Sequence, residues 1–173
     1  MTSDDRGDND DRIRALLTPE PDPSDLDDID RAVLTVAAEA ARAGRGNDEP
    51  GGYVFLRPDG ALDCPVIFGT PGSVDRGALW NAAGHWVIAG WHGHGPVPRS
   101  DPYYNPVNFH PSPGDRHAFT IANRQLREAG RLRADDALRE YLITPDGGIR
   151  CYDDPVTAPF AWRAVAGSGF YRW

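Results

Sequence analysis

Lysine is absent from the sequence, and all eighteen basic residues are Arg. A phosphate loop of the GxxxxGK[ST] form therefore cannot exist, and the Gly-rich stretches Gly69-Thr70-Pro71-Gly72 and Gly167-Ser168-Gly169 lack its spacing. High-GC codon usage is the plain source of such a bias. The functional alternative is that a protein working on lysine-linked conjugates escapes modification itself. Cysteine is scarce too: Cys64 and Cys151 are too few for a disulfide framework or a four-cysteine zinc site. Both lie in strand-like segments, which favours packing over nucleophilic catalysis and points to a reduced, cytoplasmic site of synthesis. No uncharged apolar run reaches about 18 residues, and the start MTSDDRGDNDDR has neither the basic nor the apolar region of a signal peptide, which argues against a membrane span and a standard export signal. A basic stripe is also missing. The net charge is -8, but residues 1–30 hold eleven acidic residues against three Arg, and the remainder holds fifteen of each sign, so nucleic acid is not an expected partner. The His-x-Glu and Pro-Cys-x-x-Cys pair of a zinc nucleoside deaminase is not found.

What is present fits one domain preceded by an acidic leader. Residues 1–23 are polar and carry Pro19, Pro21 and Pro23, a composition that cannot bury enough apolar surface to order itself. From Ser24 the apolar residues Leu26, Ile29, Val33, Leu34, Ala37, Ala40 and Ala41 recur at helical spacing and Gly44 follows, which predicts a helix over 24–43. Segments 53–57 and 61–68 flank Pro58-Asp59-Gly60 and read as a hairpin; 141–144 and 149–152 flank Pro145-Asp146-Gly147-Gly148 and read as a second. His85 to Trp91 reads as a buried strand running into His92, and a second helix is expected over 115–129, closed by Gly130. The long Pro- and Gly-rich interval 93–114, with Asp101, Tyr103 and Tyr104, has no periodicity, and loops of that length are more often functional than not. The aromatic tail Trp162, Phe170, Tyr171 and Trp173 is expected to pack onto the core, or, if exposed, to offer an interface.

His92-Gly93-His94 stands at the end of the apolar strand, where side chains two apart share a face, so two imidazoles can reach one metal ion. Alone, such a pair is as readily an ordinary surface or core pair. Ser112-Pro113-Gly114-Asp115 has the spacing of a helix capping box with Pro at the first helical position. Asp115, however, precedes Ala118 and Phe119 by three and four residues, which puts it on the helix's apolar face, where a carboxylate requires a counter-charge. Two neutral imidazoles and one carboxylate, with a fourth position left to water, is the pattern of a catalytic zinc site. His110, two residues before Ser112, is an alternative third imidazole that would leave Asp115 as a cap only. His85 and His117 are read as structural.

The series Glu49, His92-Gly93-His94-Gly95-Pro96 and Ser112-Pro113-Gly114-Asp115 resembles the JAMM, or MPN, metallopeptidases, whose motif is an upstream Glu, then His-x-His-Pro, then Ser-x-x-Asp. Together with Glu49-x-Gly-Gly-Tyr53 and the late Tyr-Leu-Ile-Thr-Pro-Asp-Gly-Gly-Ile hairpin, it is similar to bacterial JAMM-like domains found in toxin-like proteins, over roughly residues 24–154. The resemblance implies an α/β fold over 24–173 with a mixed, largely antiparallel sheet flanked by helices, a three-layer core related in shape to cytidine deaminases. It implies His92, His94 and Asp115 as zinc ligands, Glu49 as the base that holds and deprotonates the zinc-bound water, and Ser112 as a stabiliser of the oxyanion. The implied activity is hydrolysis of an amide or isopeptide bond in a protein or peptide, such as a ubiquitin-like conjugate, with the 95–111 loop shaping access. Two other readings stay open: a catalytically silent JAMM-like binding module, and an effector or toxin domain exported by a specialised secretion system.

Overall fold

The computed structural model describes residues 14–46, 48–77, 85–96, 106–132 and 138–173. The first helix, α1, runs Asp28–Ala43, starting four residues later than the sequence predicts. Pro23–Asp25 form a separate 3-10 turn capped by Asp22, and Leu26 and Asp27 are extended. Asp27, not Ser24, caps the helix: its carboxylate accepts from the Asp30 N–H and the Asp30 carboxylate accepts from the Asp27 N–H, both at 2.9 Å. The far end is as expected, with Gly44 at φ +60, a left-handed cap that costs glycine little.

Seven strands form one open, mixed sheet: β1 (Pro50–Leu56), β2 (Leu62–Asp63), β3 (Val66–Phe68), β4 (Trp86–Gly93), β5 (Arg139–Ile143), β6 (Ile149–Tyr152) and β7 (Arg163–Ala166). The order is β2-β1-β4-β5-β6-β7, with β3 also paired to β1. The first expected hairpin forms, but its return strand is split at Cys64-Pro65, where proline has no N–H to give the ladder. The second hairpin forms as expected from β5 and β6. Strand β7 was not legible in the sequence, being four residues long between irregular segments. All pairings are antiparallel except β4 with β5, and the crossover that parallel strands require carries helix α2 (Pro113–Glu128).

Strand alternation divides the side chains between two layers. On one face Val54, Ala89, Trp91, Tyr141, Ile143 and Cys151 pack against Val33, Val36, Ala37 and Ala40 of α1. On the other Tyr53, Phe55, Val87 and Leu138 pack against Phe119 and Leu126 of α2. The fold is therefore α/β with a mixed, mostly antiparallel sheet between helices. Cys64 and Cys151 are free thiols, and burial pushes them up to about 11 and about 12, as expected of packing residues rather than nucleophiles. Among the described residues no helix is long and apolar enough to cross a membrane.

Residues 1–13 of the expected leader lie outside the described residues, as do 97–105 of the long loop. The last part of the leader is attached to the domain. Thr18 is buried; its N–H donates to Asp146 Oδ2 at 2.8 Å and its carbonyl accepts from the Ser168 N–H at 3.0 Å. Arg150, also buried, donates to Thr18 Oγ1 (3.1 Å), to the Leu16 carbonyl and to the Phe109 carbonyl (2.9 Å), and its guanidinium stacks on Trp162 with 3.9 Å to the ring centre. The polar composition of the leader excludes apolar burial but not this: hydrogen bonds from a buried guanidinium fix it instead.

Candidate metal centre

The β1–β4 register pairs Gly51 with His92, and continuing it sets Glu49 across from His94, just past the end of β4. His92 is the last residue of β4 on the α2 side of the sheet; His94 follows the strand, its N–H donating to the Ile143 carbonyl at 2.9 Å. Asp115 enters from the first turn of α2. Ser112 is the N-cap: its Oγ accepts from the Asp115 N–H at 3.1 Å and its N–H donates to Asp115 Oδ2 at 2.7 Å. The capping-box reading and the ligand reading of Asp115 are thus compatible, because a carboxylate accepts several bonds at once.

Three donor groups converge. His92 Nε2 and His94 Nε2 are 3.3 Å apart; Asp115 Oδ1 lies 3.4 Å from the first and Oδ2 3.1 Å from the second. Both remaining ring nitrogens are committed elsewhere: His92 Nδ1 is 2.7 Å from Glu140 Oε1, and His94 Nδ1 is 2.9 Å from the Asn108 carbonyl. Each acceptor requires its Nδ1 to carry a proton, so in the neutral rings the lone pairs are on the two facing Nε2 atoms. Two lone pairs and a carboxylate directed at one point require a cation between them, either a proton or a metal ion.

In the metal-free protein a proton fills that need. Burial pulls the His92 imidazole down, but hydrogen bonds to Asp115 and Glu140 outweigh it and hold its pKa up to about 9. Burial likewise pushes the Asp115 carboxyl up, yet hydrogen bonds with His92, His94 and Ser112 win and keep it well below the usual carboxylate range. Glu49 is buried, and that burial raises its carboxyl above the ordinary value against the opposing pull of His94, His92 and the Gly95 backbone.

Two adjoining clefts meet here and share Glu49, Gly72, Ser112 and Asp115. The larger, about 600 Å³, runs along α2 past Tyr53, Val74, Ala118 and Ile121; the smaller, about 380 Å³, is bounded by Pro71, Pro96 and Asn108. All five residues singled out in the sequence, Glu49, His92, His94, Ser112 and Asp115, border this junction. His110 does not join them: its Nδ1 is 3.3 Å from Tyr152 Oη, its ring packs on Phe160, and burial with the nearby Arg150 lowers its pKa to about 4. The sequence reading missed Glu140, Arg76 and the Asn108 carbonyl. Glu140 had a signal, since it shares a strand face with buried Leu142; the other two had none. Comparison of the chain with protein-family models, curated proteins and solved structures gives no significant match in any of the three.

Proposed function

We propose that the chain is a zinc-dependent hydrolase of amide or isopeptide bonds, built on a JAMM-like core and acting on a protein or peptide such as a ubiquitin-like conjugate. One observation carries the reading: two imidazole Nε2 atoms and the Asp115 carboxylate point at a common centre while both Nδ1 atoms are held by acceptors. That donor set fits zinc with an open fourth position. Bound there, zinc would supply Lewis-acid polarisation and bring the pKa of a water down to about 7. The chain's own residues do the rest. Glu49, raised above an ordinary carboxylate by burial, takes a proton from the attacking water as the new C–O bond forms and passes it to the amine nitrogen as the C–N bond then breaks. Ser112, whose Oγ accepts from the Asp115 N–H, turns its hydroxyl from the Asp115 carboxylate to donate to the developing oxyanion. The paired clefts suit an extended chain with its scissile bond at their junction.

The test is zinc content by elemental analysis of protein purified without an affinity metal, with hydrolysis of a panel of peptides and lysine isopeptides before and after chelation. Cleavage that stops on chelation and returns with zinc is the expected result; a folded protein with neither zinc nor cleavage rejects the reading, and zinc without cleavage leaves a silent binding module. Glu49→Gln is expected to keep the metal and lose roughly 10²–10⁴-fold in turnover, the usual weight of general acid–base catalysis. Equal turnover in the variant removes Glu49 from the chemistry. Because zinc must displace the proton that His92 holds with a pKa of about 9, uptake at pH 7 is expected to release a proton and affinity to rise about tenfold per pH unit up to that value. Calorimetry in buffers of different ionisation enthalpy measures the release; a pH-independent affinity between 6.5 and 8.5 contradicts it.

A further inference from the structure

Strand register places Glu140 of β5 beside Gly90 of β4, two residues before His92 and on the same face. Its carboxylate is 2% exposed and reaches under Gly90 to His92, with Oε1 accepting both from His92 Nδ1 at 2.7 Å and from Arg76 Nη1 at 2.8 Å. A Cβ at position 90 would lie 2.5 Å from Glu140 Oε2 and 2.6 Å from Arg76 Nη1, so the strand omits a side chain where this contact crosses it. The plain alternative is a buried ion pair that only neutralises itself. Such a pair is a weak source of stability. Here the carboxylate oxygen that Arg76 holds is the same one that meets His92 Nδ1, and among the described residues Oε2 has no protein partner.

We propose that Glu140 is a positioning residue for the metal centre: it fixes the His92 ring with Nε2 toward Asp115 and gives that nitrogen added negative charge, while Arg76 holds the carboxylate in place. The inference rests on the metal-site reading above. A carboxylate on the far nitrogen of a ligating imidazole fixes its tautomer and makes it a better donor, and losing such a partner typically costs 10–100-fold in metal affinity. His94 has only a neutral carbonyl in the equivalent place, so of the two imidazoles it is His92 that is backed by a charge.

Glu140→Gln separates charge from geometry. Its amide oxygen can keep both bonds of Oε1, and its NH₂ group falls where Oε2 has no partner among the described residues. Competition with a chromophoric chelator should show zinc bound about 10–100-fold more weakly than by wild type. The metal-free variant should remain folded by circular dichroism but unfold at a lower temperature, because the buried Arg76 guanidinium loses its counter-charge, and the visible absorption of the cobalt-loaded protein should shift. Gly90→Ala, which pushes Glu140 and Arg76 aside, should weaken zinc similarly. The double variant Glu140→Gln, Arg76→Met also removes the guanidinium charge that Glu140 no longer balances, and should stay weak. Wild-type affinity in Glu140→Gln overturns the inference, as does recovery to wild-type affinity in the double variant, which would assign the loss to the stranded Arg76. Zinc absent from the wild type overturns the metal-centre reading itself, and this inference with it.

Discussion

Zinc content should fall from about one ion per chain to a small fraction when either His92 or Asp115 is replaced by Ala, because each change removes one of the three protein donors of the proposed zinc site. The fall in affinity should exceed the 10–100-fold expected at Glu140, which acts through a ligand rather than on the metal. The two variants differ in what else they disturb. His92→Ala leaves Glu140 with Arg76 as its remaining partner, while Asp115→Ala takes the acceptor from the Ser112 N–H at the start of α2, a loss of the capping kind worth about 1 kcal/mol. Asp115→Asn separates these effects, since an amide oxygen still accepts from Ser112 but the charge is gone. Elemental analysis alongside circular dichroism decides: equal zinc in all forms puts the ion elsewhere, and no zinc in a folded wild type ends the case for a metal centre.

The largest effect on stability is expected at Asp30, far from the clefts. This carboxylate is fully buried and accepts from Arg163 through two nitrogens at 2.8 and 2.7 Å, from Tyr141 Oη at 2.7 Å and from the Asp27 N–H at 2.9 Å. It joins the start of α1 to strands β5 and β7. Asp30→Ala leaves the partly exposed Arg163 guanidinium and the buried Tyr141 hydroxyl without their acceptor; breaking one side of a fully buried pair costs about 3–5 kcal/mol, and solvent at Arg163 puts the expected loss at about 3 kcal/mol. For a chain of this length that corresponds to a drop in Tm of roughly 10 °C. Asp28→Ala makes a control in the same turn, because its pair with Arg31 is exposed on both sides and such pairs contribute roughly 0–1 kcal/mol. Urea unfolding of the two should differ severalfold in free energy lost; similar losses contradict the account.

The candidate site was legible to the extent that its residues obey local periodicity. His92 and His94 are two apart at a strand end, and Asp115 lies three and four residues before Ala118 and Phe119, so alternation and helical spacing point to the right faces. Glu49 was singled out only through its place in a series that resembles the JAMM motif. What the sequence hid depends on long-range register. Glu140 meets His92 only because β4 and β5 pair in parallel with Gly90 opposite Glu140, and no local pattern encodes that pairing. Arg76 comes from an irregular segment and reaches the same carboxylate. The true start of α1 was hidden by a competition between two caps: Ser24 has the right chemistry, but Asp22 draws it into a 3-10 turn and Asp27 forms the reciprocal pair with Asp30. Strand β7 was missed because four residues, Arg163–Ala166, are too short to show a period.

The attachment of Leu16 and Thr18 bears on the order in which the chain is assembled during synthesis. Their partners, Asp146, Arg150 and Ser168, follow them in the chain by 128 to 150 residues. A ribosome adds about 5–20 residues per second, so the Leu16 to Thr18 stretch is made about 6–30 seconds before these residues exist to hold it. The Arg150 contact also grips the Phe109 carbonyl, one residue from the Asn108 carbonyl that orients His94. Segments about 130 residues apart in the chain thus meet beside the turn that aims one of the histidines, and the site reaches its final geometry only after β6 has been made.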